Sequence, residues 1–333
     1  MVEADVLVVG GGAIGGITAA KLVGAVRRVT VLDANAEHVA RLRDPGLVYE
    51  ELGAEHRVRL DAVGTPGELA GEYDFALVGV KAPWHREALA PLAARGGIGC
   101  FVSLGNGLIQ DRMAEIVGGP ERLLACLVEW AGSNAGPGRL IRDTVGPMVV
   151  GELDGAVRDR TRLLARCLEA AGPVRVSGNI RGQIWSKLLV NSTFTALSAV
   201  SGLRYGEAAG HPGGRVAAFG LWAEGVRVAE AEGIALEPVL DADPHELLDA
   251  GTRDAALARM MAVAGNSRPS MLQDLEAGRL TEIDFINGGV ARHGRARDVP
   301  TPLNDLAVAL VHAMERGERE RAPAVLDEIA ATR

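Results

Sequence analysis

Short apolar strands alternate with helical patterns in the first half of the chain. The apolar runs lie at 6–9, 29–32, 75–80 and 99–103. Helical patterns follow the first run, over 13–23, and fill 86–94. Because these runs are continuously apolar instead of alternating with polar residues, they are typical of parallel strands that are covered on both faces. The pattern predicts an α/β domain built on a doubly wound, parallel sheet.

The second half of the chain reads as helical nearly throughout, from about Arg181 onward. Apolar residues recur at spacings of three and four over 184–200, 214–231, 244–264 and 303–314. The segment 172–178 predicts a last strand and a hinge, so we expect an α/β domain over 1–178 and an all-helical domain over 179–333. Two domains that meet at one hinge are expected to form a cleft, where small-molecule sites usually lie.

Composition excludes several classes of protein. The 333 residues are 48% hydrophobic and 23% charged, which rules out a disordered chain. The net charge of −8 argues against electrostatic binding of nucleic acid. No apolar stretch approaches the roughly 18 residues of a membrane span, and Glu3 and Asp5 stand where a secretion signal requires positive charge. We therefore expect a cytoplasmic protein that binds neither nucleic acid nor membrane.

Lysine is rare in this sequence. Of 35 basic residues, only Lys21, Lys81 and Lys187 are lysine. Because arginine keeps its proton at any working pH whereas lysine can release one, a retained lysine is a candidate for acid/base chemistry, although Lys21 has the sequence context of a surface residue. The three cysteines and seven histidines show no spacing typical of a disulfide framework or a metal site, so no metal is expected.

The strongest motif is Gly10-Gly11-Gly12-Ala13-Ile14-Gly15, which fits G-x-G-x-x-G. It follows a predicted strand and opens a predicted helix, where glycines permit a tight turn, a close backbone approach to a pyrophosphate and close helix packing. Free N–H groups at the helix start also favour phosphates. The alternative is a glycine-rich turn without a ligand. The motif predicts that 1–178 is a dinucleotide-binding, Rossmann-type domain.

Three polar residues follow predicted strands of this domain. Asp33 lies 23 residues after Gly10, where a carboxylate accepts hydrogen bonds from the adenosine ribose and repels a 2′-phosphate, so we expect NAD(H) over NADP(H). An aspartate that only caps the next helix is the alternative. Lys81 and Asn106 follow two later strands, at the edge where ligands bind. A solvated lysine and an Asn-Gly turn remain alternatives for these two residues.

The helical half holds a lysine among apolar neighbours. Lys187 and Asn191 are four residues apart, on one face of the helix predicted over 184–200. A buried lysine costs free energy unless it has a hydrogen-bonding or charged partner, or a catalytic role. Its ammonium can polarise a reacting carbonyl and deliver a proton as hydride arrives, and Asn191 can hold the same oxygen. A purely structural pairing of Lys187 with a carboxylate is the alternative.

Two further segments carry candidate residues. Ser270-Met271-Leu272-Gln273 reads as a capping box with Ser270 as N-cap, at a helix start that could also take a substrate carboxylate. Leu280 to Gly288 predicts the start of another helix, with Glu282 and Asp284 in its first turn. Glu282 could instead face the cleft and keep Lys187 protonated.

These motifs together resemble the ketopantoate reductases (2-dehydropantoate 2-reductases) along nearly the whole chain. The resemblance depends most on Ser270-Met271-Leu272-Gln273-Asp274 and on Thr281-Glu282-Ile283-Asp284-x-Ile286-Asn287-Gly288. It implies a Rossmann domain joined to a helical domain like the C-terminal one of 6-phosphogluconate dehydrogenase. It also implies a cytoplasmic oxidoreductase of pantothenate biosynthesis, and the Ala- and Leu-rich helical half could supply a homodimer face.

The resemblance also implies roles for individual residues. Lys187 would be the proton donor and Glu282 would lie beside the nicotinamide. Asn191, Ser270 and Asn106 would contact the substrate, as would Thr195 and Tyr205. Asn106 would touch the cofactor too, and Lys81 and Ala131 would line the cofactor groove.

Five positions depart from the pattern of the family. Asp33 stands where members often carry a basic residue, which fits a change from NADPH to NADH. Thr195 and Tyr205 stand where members often have asparagines, and Glu129-Trp130 is bulkier and more acidic than expected. The leading prediction is therefore hydride transfer to the 2-keto group of ketopantoate or a related 2-oxo acid. The alternative is an NAD-dependent dehydrogenase that oxidises a different secondary alcohol or hydroxy acid, and a nucleotide-sensing protein without catalysis is disfavoured by the conjunction of Lys187, Asn191 and Glu282.

Overall fold

The computed structural model describes residues 1–332, and contacts among Cα atoms divide the chain into two compact units. The first unit comprises Met1–Gly105 and Ile109–Ile180. The second comprises Asn106–Leu108 together with the chain from Arg181 onward. Each unit has its own hydrophobic core.

The first unit is an α/β domain. Its strands are β1 (Val2–Val9), β2 (Val26–Leu32), β3 (Leu47–Glu51), β4 (Ala54–Val58), β5 (Asp61–Val63), β6 (Tyr73–Val78), β7 (Ile98–Ser103), β8 (Leu123–Val128), β9 (Gly132–Gly136), β10 (Arg139–Arg142), β11 (Met148–Glu152) and β12 (Val174–Val176). Its helices are α1 (Ala13–Leu22), α2 (Ala36–Arg41), α3 (His85–Arg95), α4 (Gln110–Val117) and α5 (Asp159–Leu168).

The main sheet has the strand order β12-β11-β8-β7-β6-β1-β2-β5. Strand β1 is central: Val6 pairs with Val29 on one side and with Phe75 on the other, both in parallel. Val6, Leu7 and Val8 are fully buried, as the continuous apolar run predicts for a strand that is covered on both faces. The four predicted strands and the helix after the first of them are therefore confirmed.

The prediction of a wholly parallel sheet is wrong at one pair of strands. Strands β8 and β11 are antiparallel, with Val128 opposite Met148 and Glu152 opposite Leu124. The chain leaves the end of β8, forms a hairpin over 132–142 and returns beside the same end. An antiparallel return of this kind needs no crossover helix, whereas a parallel one does.

A second, smaller sheet was not predicted from the sequence. Its strand order is β4-β3-β10-β9, with β3 and β4 joined at Leu52 and Gly53, both of which have positive φ. The residues of β4 are mostly exposed, so the strand lacks the apolar pattern on which the prediction relied. The turn residues Gly136-Pro137-Gly138 between β9 and β10 were the available signal.

The second unit is helical. Its helices are α6 (Ile180–Val190, of which Ile180 closes the first unit), α7 (Ala196–Ser201), α8 (Tyr205–Gly210), α9 (Pro212–Ala231), α10 (Arg253–Ala264), α11 (Ser270–Glu276), α12 (Asn287–Ala296), α13 (Pro302–Glu315) and α14 (Val325–Ala331). The rings of Trp222 and Phe194, both fully buried, lie 6.2 Å apart in its core.

Two of the four predicted helices differ from the structure. The helix predicted over 244–264 is wrong in its first part, where a short 3-10 turn is followed by a break before α10. Asp249 Oδ1 accepts a hydrogen bond from the Gly251 N–H at 2.7 Å, which stabilises a turn in place of helix. The helix predicted over 184–200 exists as α6 and α7, but a single wide π turn over Asn191–Thr195 separates them. Within residues 1–332, no helix combines the length and the apolar character that crossing a membrane requires.

Candidate active site

The glycine motif forms the turn between β1 and α1, as its position predicts. Gly10 has φ +95°, a conformation that L side chains rarely adopt, and its N–H donates to Leu32 O at 2.8 Å. A Cβ at Gly15 would overlap the carbonyl oxygen of Gly10, because α1 lies directly against the turn. Both glycines are therefore required by the packing of this turn.

The middle of the turn has the properties of a phosphate cradle. A Cβ at Gly12 would meet no atom within 4 Å, so protein packing does not explain why this residue is glycine. Gly12 is also the N-cap of α1, and no side chain caps the N–H groups of the first turn. Ala13 and Ile14 follow as the first helical residues, both half-buried. Exposed N–H groups at a helix start beside open space fit a dinucleotide pyrophosphate.

Asp33 links the loop after β2 to the glycine turn. Its Oδ2 accepts the Gly11 N–H at 2.7 Å, and its Oδ1 accepts the Asn35 N–H at 2.8 Å. The cap of α2 is Asn35, whose side chain accepts the His38 N–H, so the alternative role of Asp33 as a helix cap is wrong. The carboxylate is half-exposed and each oxygen can accept a further hydrogen bond, as a pair of ribose hydroxyls would require.

His38, on α2, contacts the glycine turn and was not predicted from the sequence. Its ring is buried, and its Nδ1 accepts the Gly138 N–H at 2.9 Å. Because Nδ1 accepts, the ring proton lies on Nε2, which donates to Gly11 O at 2.7 Å. The peptide groups on both sides of Gly11 are thus held by side chains from the region after β2. No sequence signal marked His38, since its partners are backbone atoms of two distant segments.

The other predicted residues of the first unit lie at strand ends or in a connection. Lys81 follows β6 by three residues and is half-buried before a 3-10 turn. Ala131 is exposed between β8 and β9. Its N–H donates to Thr144 Oγ1 at 2.8 Å, so hydrogen bonding of its own connection occupies that donor. The structure therefore places both at the carboxyl-end side of the sheet strands that precede them.

Asn106 belongs to the second unit although it follows β7. In the same short segment, the Leu108 N–H donates to Phe285 O at 2.9 Å. Gly107 has φ +83°, and a Cβ there would overlap that same carbonyl oxygen. The structure thus brings the segment of Asn106 against the segment that carries Glu282, two groups that were predicted separately.

Lys187 and Asn191 lie on consecutive turns of the helical unit. Lys187 is half-buried near the end of α6, while Leu188 and Leu189 beside it are buried. Asn191 is half-buried and begins the π turn. π turns inside helices are rare and occur often at functional sites, because they displace side chains from the regular helical positions.

Thr195 and Tyr205 are paired with each other. Thr195 ends the π turn, and its Oγ1 lies 2.5 Å from Tyr205 Oη. Both residues are buried, and burial raises the pKa of the Tyr205 phenol to about 12, although the hydrogen bond to Thr195 opposes this. The pair is therefore neutral at physiological pH, and each hydroxyl has one partner within the protein.

The prediction that Ser270 is an N-cap is wrong. Pro269 is the N-cap of α11, and Ser270 is the first helical residue, with an exposed side chain. Gln273, the expected partner in a capping box, donates instead to Arg268 O at 3.0 Å. Pro269 has the extended conformation of an N-cap and has no N–H group that would need a partner, so the helix starts at Ser270, one residue earlier than predicted.

The prediction that Glu282 and Asp284 start a helix is also wrong. They lie in a turn that precedes α12, which begins at Asn287. Glu282 is buried with 8% of its surface exposed, whereas Asp284 is exposed. A buried carboxylate outside a helix has no dipole to complement, so the explanation of Glu282 by helix electrostatics fails.

The turn that carries Glu282 is anchored to α13 on both sides. Glu315 Oε1 accepts the Thr281 N–H at 2.8 Å. The ring of His312 bridges Glu315 Oε2 at 2.7 Å and Asp284 Oδ1 at 2.9 Å. Partial burial disfavours the charged imidazolium, but the bonds to Glu315 and Asp284 outweigh it and raise the pKa of His312. Among residues 1–332, no cluster of His, Cys, Asp and Glu side chains could hold a metal ion.

The comparisons with known proteins agree over both halves of the chain. The family model described as "Ketopantoate reductase PanE/ApbA" matches residues 6–155, and "Ketopantoate reductase PanE/ApbA C terminal" matches residues 179–315. The 2-dehydropantoate 2-reductase of Mesorhizobium japonicum is 31% identical over 94% of this chain and 98% of its own length.

Solved structures with both units are also similar. A PanE/ApbA family ketopantoate reductase from Ralstonia eutropha has a TM-score of 0.81 at 27% identity, over 95% of this chain and 100% of its own. D-mandelate dehydrogenase, solved with NADH and anilino(oxo)acetate, has a TM-score of 0.81 at 26% identity, over 94% of this chain and 99% of its own.

The His312 bridge predicts a pH-dependent contribution to stability. Because the folded-state pKa is raised, the contribution is complete below about pH 6.5 and is lost as pH rises through the folded pKa. We expect His312→Gln to lower the free energy of unfolding by at most about 1 kcal/mol at pH 6, since the bridge is partly exposed, and to have less effect at pH 9. Urea unfolding at the two pH values measures this, with His56→Gln as control. An equal loss at both pH values would contradict the charged bridge.

Proposed function

The chain belongs to the ketopantoate reductase family, whose members are NAD(P)-dependent oxidoreductases, and we propose that it interconverts a 2-oxo acid and the corresponding 2-hydroxy acid with Lys187 as proton donor. The observation that carries the proposal is the position of Lys187: a half-buried amine on α6, one turn before Asn191 and the π turn. It is the one lysine that the sequence contains beyond residue 81.

We assign cofactor binding to the glycine turn and the residues around it. The backbone of Gly10 to Gly15 and the first turn of α1 would hold the pyrophosphate, and Asp33 would hold the ribose hydroxyls. Because a carboxylate repels a 2′-phosphate, we propose NAD(H) over NADP(H). Lys81, Ala131, Asn106 and Glu282 are proposed as further cofactor contacts. When bound, the nicotinamide supplies or accepts the hydride.

Lys187 and Asn191 would act on the substrate oxygen at C2. In reduction, the ammonium of Lys187 donates a hydrogen bond to the carbonyl oxygen and then its proton, so that an alcohol forms without a free alkoxide. In oxidation, the neutral amine takes the proton of the hydroxyl group. Asn191 Nδ2 would donate to the same oxygen and fix its position. The buried carboxylate of Glu282 would favour the charged form of Lys187 at the start of reduction.

The substrate carboxylate is assigned to Ser270. Its hydroxyl is exposed at the first residue of α11, and it can donate a hydrogen bond to a carboxylate oxygen. Ketopantoate is the leading substrate, because the Mesorhizobium japonicum relative is named 2-dehydropantoate 2-reductase. In that case the physiological role would be in pantothenate biosynthesis.

One observation favours a second candidate substrate. Thr195 and Tyr205 share one hydrogen bond and are buried, so they present less hydrogen-bonding capacity than two amides would. A pocket with fewer polar groups favours a larger apolar side chain on the 2-oxo acid. The similarity to D-mandelate dehydrogenase agrees with this alternative. The second candidate is therefore an NAD-dependent dehydrogenase for an apolar or aromatic 2-hydroxy acid.

Substitution of Lys187 tests the catalytic assignment. We expect Lys187→Ala to lower kcat about 10²–10⁴-fold, the usual contribution of general acid/base catalysis. Lys187→Arg should also lose at least about 10²-fold, because arginine keeps the charge but does not release a proton. Lys21→Arg is the matched control: Lys21 is paired with Glu51 at 2.5 Å, and arginine can keep that pair.

These variants are measured on a panel of ketopantoate, phenylglyoxylate and pyruvate with NADH, and on the corresponding hydroxy acids with NAD. The substrate with the highest kcat/KM distinguishes the two candidates. If the kcat of Lys187→Ala for the best substrate stayed within twofold of the wild-type value, the assignment of Lys187 as proton donor would be contradicted.

Asp33 tests the choice of cofactor. Wild-type kcat/KM should be at least about tenfold higher with NADH than with NADPH, because the carboxylate repels the added phosphate. Asp33→Asn keeps an oxygen acceptor for the Gly11 N–H and removes the charge, so the preference should fall about tenfold. Steady-state kinetics with both cofactors measures the ratio. A wild-type preference for NADPH would overturn the assignment.

Two alanine substitutions separate folding of the glycine turn from ligand binding. Gly12→Ala places a Cβ in open space, so the free energy of unfolding should change by less than about 0.5 kcal/mol. NADH affinity should nevertheless fall at least about tenfold, because the Cβ fills the position assigned to the pyrophosphate. Gly15→Ala overlaps Gly10 O and should destabilise the fold by about 1–3 kcal/mol. Titration of NADH by fluorescence and thermal unfolding measure the two effects. Unchanged NADH affinity in Gly12→Ala would place the phosphates elsewhere.

A further inference from the structure

The π turn after α6 changes the pairing of one backbone carbonyl. In a regular α-helix the Ala196 N–H would donate to Ser192 O. Here it donates to Asn191 O and Thr193 O instead. Ser192 is fully buried, so its carbonyl oxygen needs another hydrogen-bond donor, because a buried and unpaired carbonyl group would destabilise the fold.

Asn287 supplies that donor. Its side chain is fully buried at the start of α12, and Nδ2 donates to Ser192 O at 2.7 Å. The other hydrogen of Nδ2 is used by Asn304 Oδ1 at 2.9 Å. Both N–H groups of the amide are therefore occupied, and the amide links α12 to the π turn and to α13.

Glu224 fixes the direction of this chain of hydrogen bonds. Its carboxyl group, buried on α9, accepts the Leu303 N–H at 2.9 Å and the Asn304 N–H at 3.0 Å. It also accepts Asn304 Nδ2 at 2.7 Å, so Asn304 must present its oxygen to Asn287. Asn287 must then present its nitrogen, which leaves one N–H for Ser192 O. The amide orientation at the π turn is thus determined by a carboxyl group on another helix.

We propose that Asn287 is a positioning residue that holds the π turn and thereby directs Asn191 to the substrate oxygen. Asn191 begins the turn and Thr195 ends it, so the turn sets the direction of both side chains. Without the bond to Ser192 O, the segment loses a reason to depart from α-helical geometry, and a regular helix would change how the residues of the turn are rotated relative to Lys187. The proposal depends on the role proposed above for Asn191.

A double-mutant cycle tests this role. Asn287→Ala should lower kcat/KM for the best 2-oxo acid about 10–100-fold, while the Kd of NADH changes less than twofold. Asn191→Ala should lower kcat/KM by a similar or larger factor. If Asn287 acts through Asn191, the double variant should match Asn191→Ala within twofold, because the same interaction cannot be lost twice. If Asn287 had only a structural role, the losses in kcat/KM of the two single variants would multiply in the double variant, or the yield of folded protein would fall without a change in kcat/KM.

Asn304→Ala and a control variant complete the test. Asn304→Ala releases the Asn287 amide without changing it and should lower kcat/KM about threefold to tenfold; this variant decides the matter if Asn287→Ala does not fold. Asn134→Ala, in the exposed hairpin of the first unit, is the control and should leave kcat/KM unchanged. The positioning role would be overturned if the losses in kcat/KM at Asn287 and Asn191 multiplied in the double variant. It would also be overturned if Asn287→Ala and Asn304→Ala were both fully active while Asn191→Ala was impaired. An unimpaired Asn191→Ala would instead refute the proposed function of Asn191.

Discussion

The peptide groups around Gly11 are held by two side chains, and the geometry of the glycine turn depends on them. Asp33 accepts the N–H of Gly11, and the ring of His38 donates to its carbonyl oxygen. A glycine segment has more conformational freedom than any other, so it needs such external bonds to keep one conformation. The same requirement, that a buried backbone group must be paired, explains the π turn of the helical unit, where Asn287 takes the place of a missing helical N–H.

The two anchors differ in how they are built. His38 connects the glycine turn to Gly138, in the hairpin of the smaller sheet, so the smaller sheet helps to hold the ring that bonds to Gly11. Asn287 is part of a chain of amides that ends at the buried Glu224. Burial is the main reason that the pKa of Glu224 is raised, and three N–H donors oppose that shift. In both cases a polar side chain bonds to a backbone group that is distant in the sequence and holds a turn in its conformation.

The polar groups of the helical unit fall into two classes. Thr195 and Tyr205 bond to each other and are buried, so their effect on a substrate would come through the shape and polarity of the region around them. Lys187, Asn191 and Ser270 retain exposed surface, as groups that contact a substrate must. This division is the physical reason for considering a 2-oxo acid with a larger apolar group than that of ketopantoate.

The elements with a strong local signal could be predicted before the structure was known. Continuous apolar runs identified β1, β2, β6 and β7, and the glycine spacing identified the turn between β1 and α1, because burial and positive φ restrict residue types directly. The antiparallel return of β11, the smaller sheet and the π turn were decided by tertiary structure. Their local sequences do not specify them: the apolar run of β11 does not encode the direction of the strand, β4 is exposed, and the helical period continues across 184–200 in the sequence. The turn before α12 and the roles of His38 and Asn287 likewise depend on hydrogen bonds to atoms distant in the sequence, which only the folded chain brings within reach.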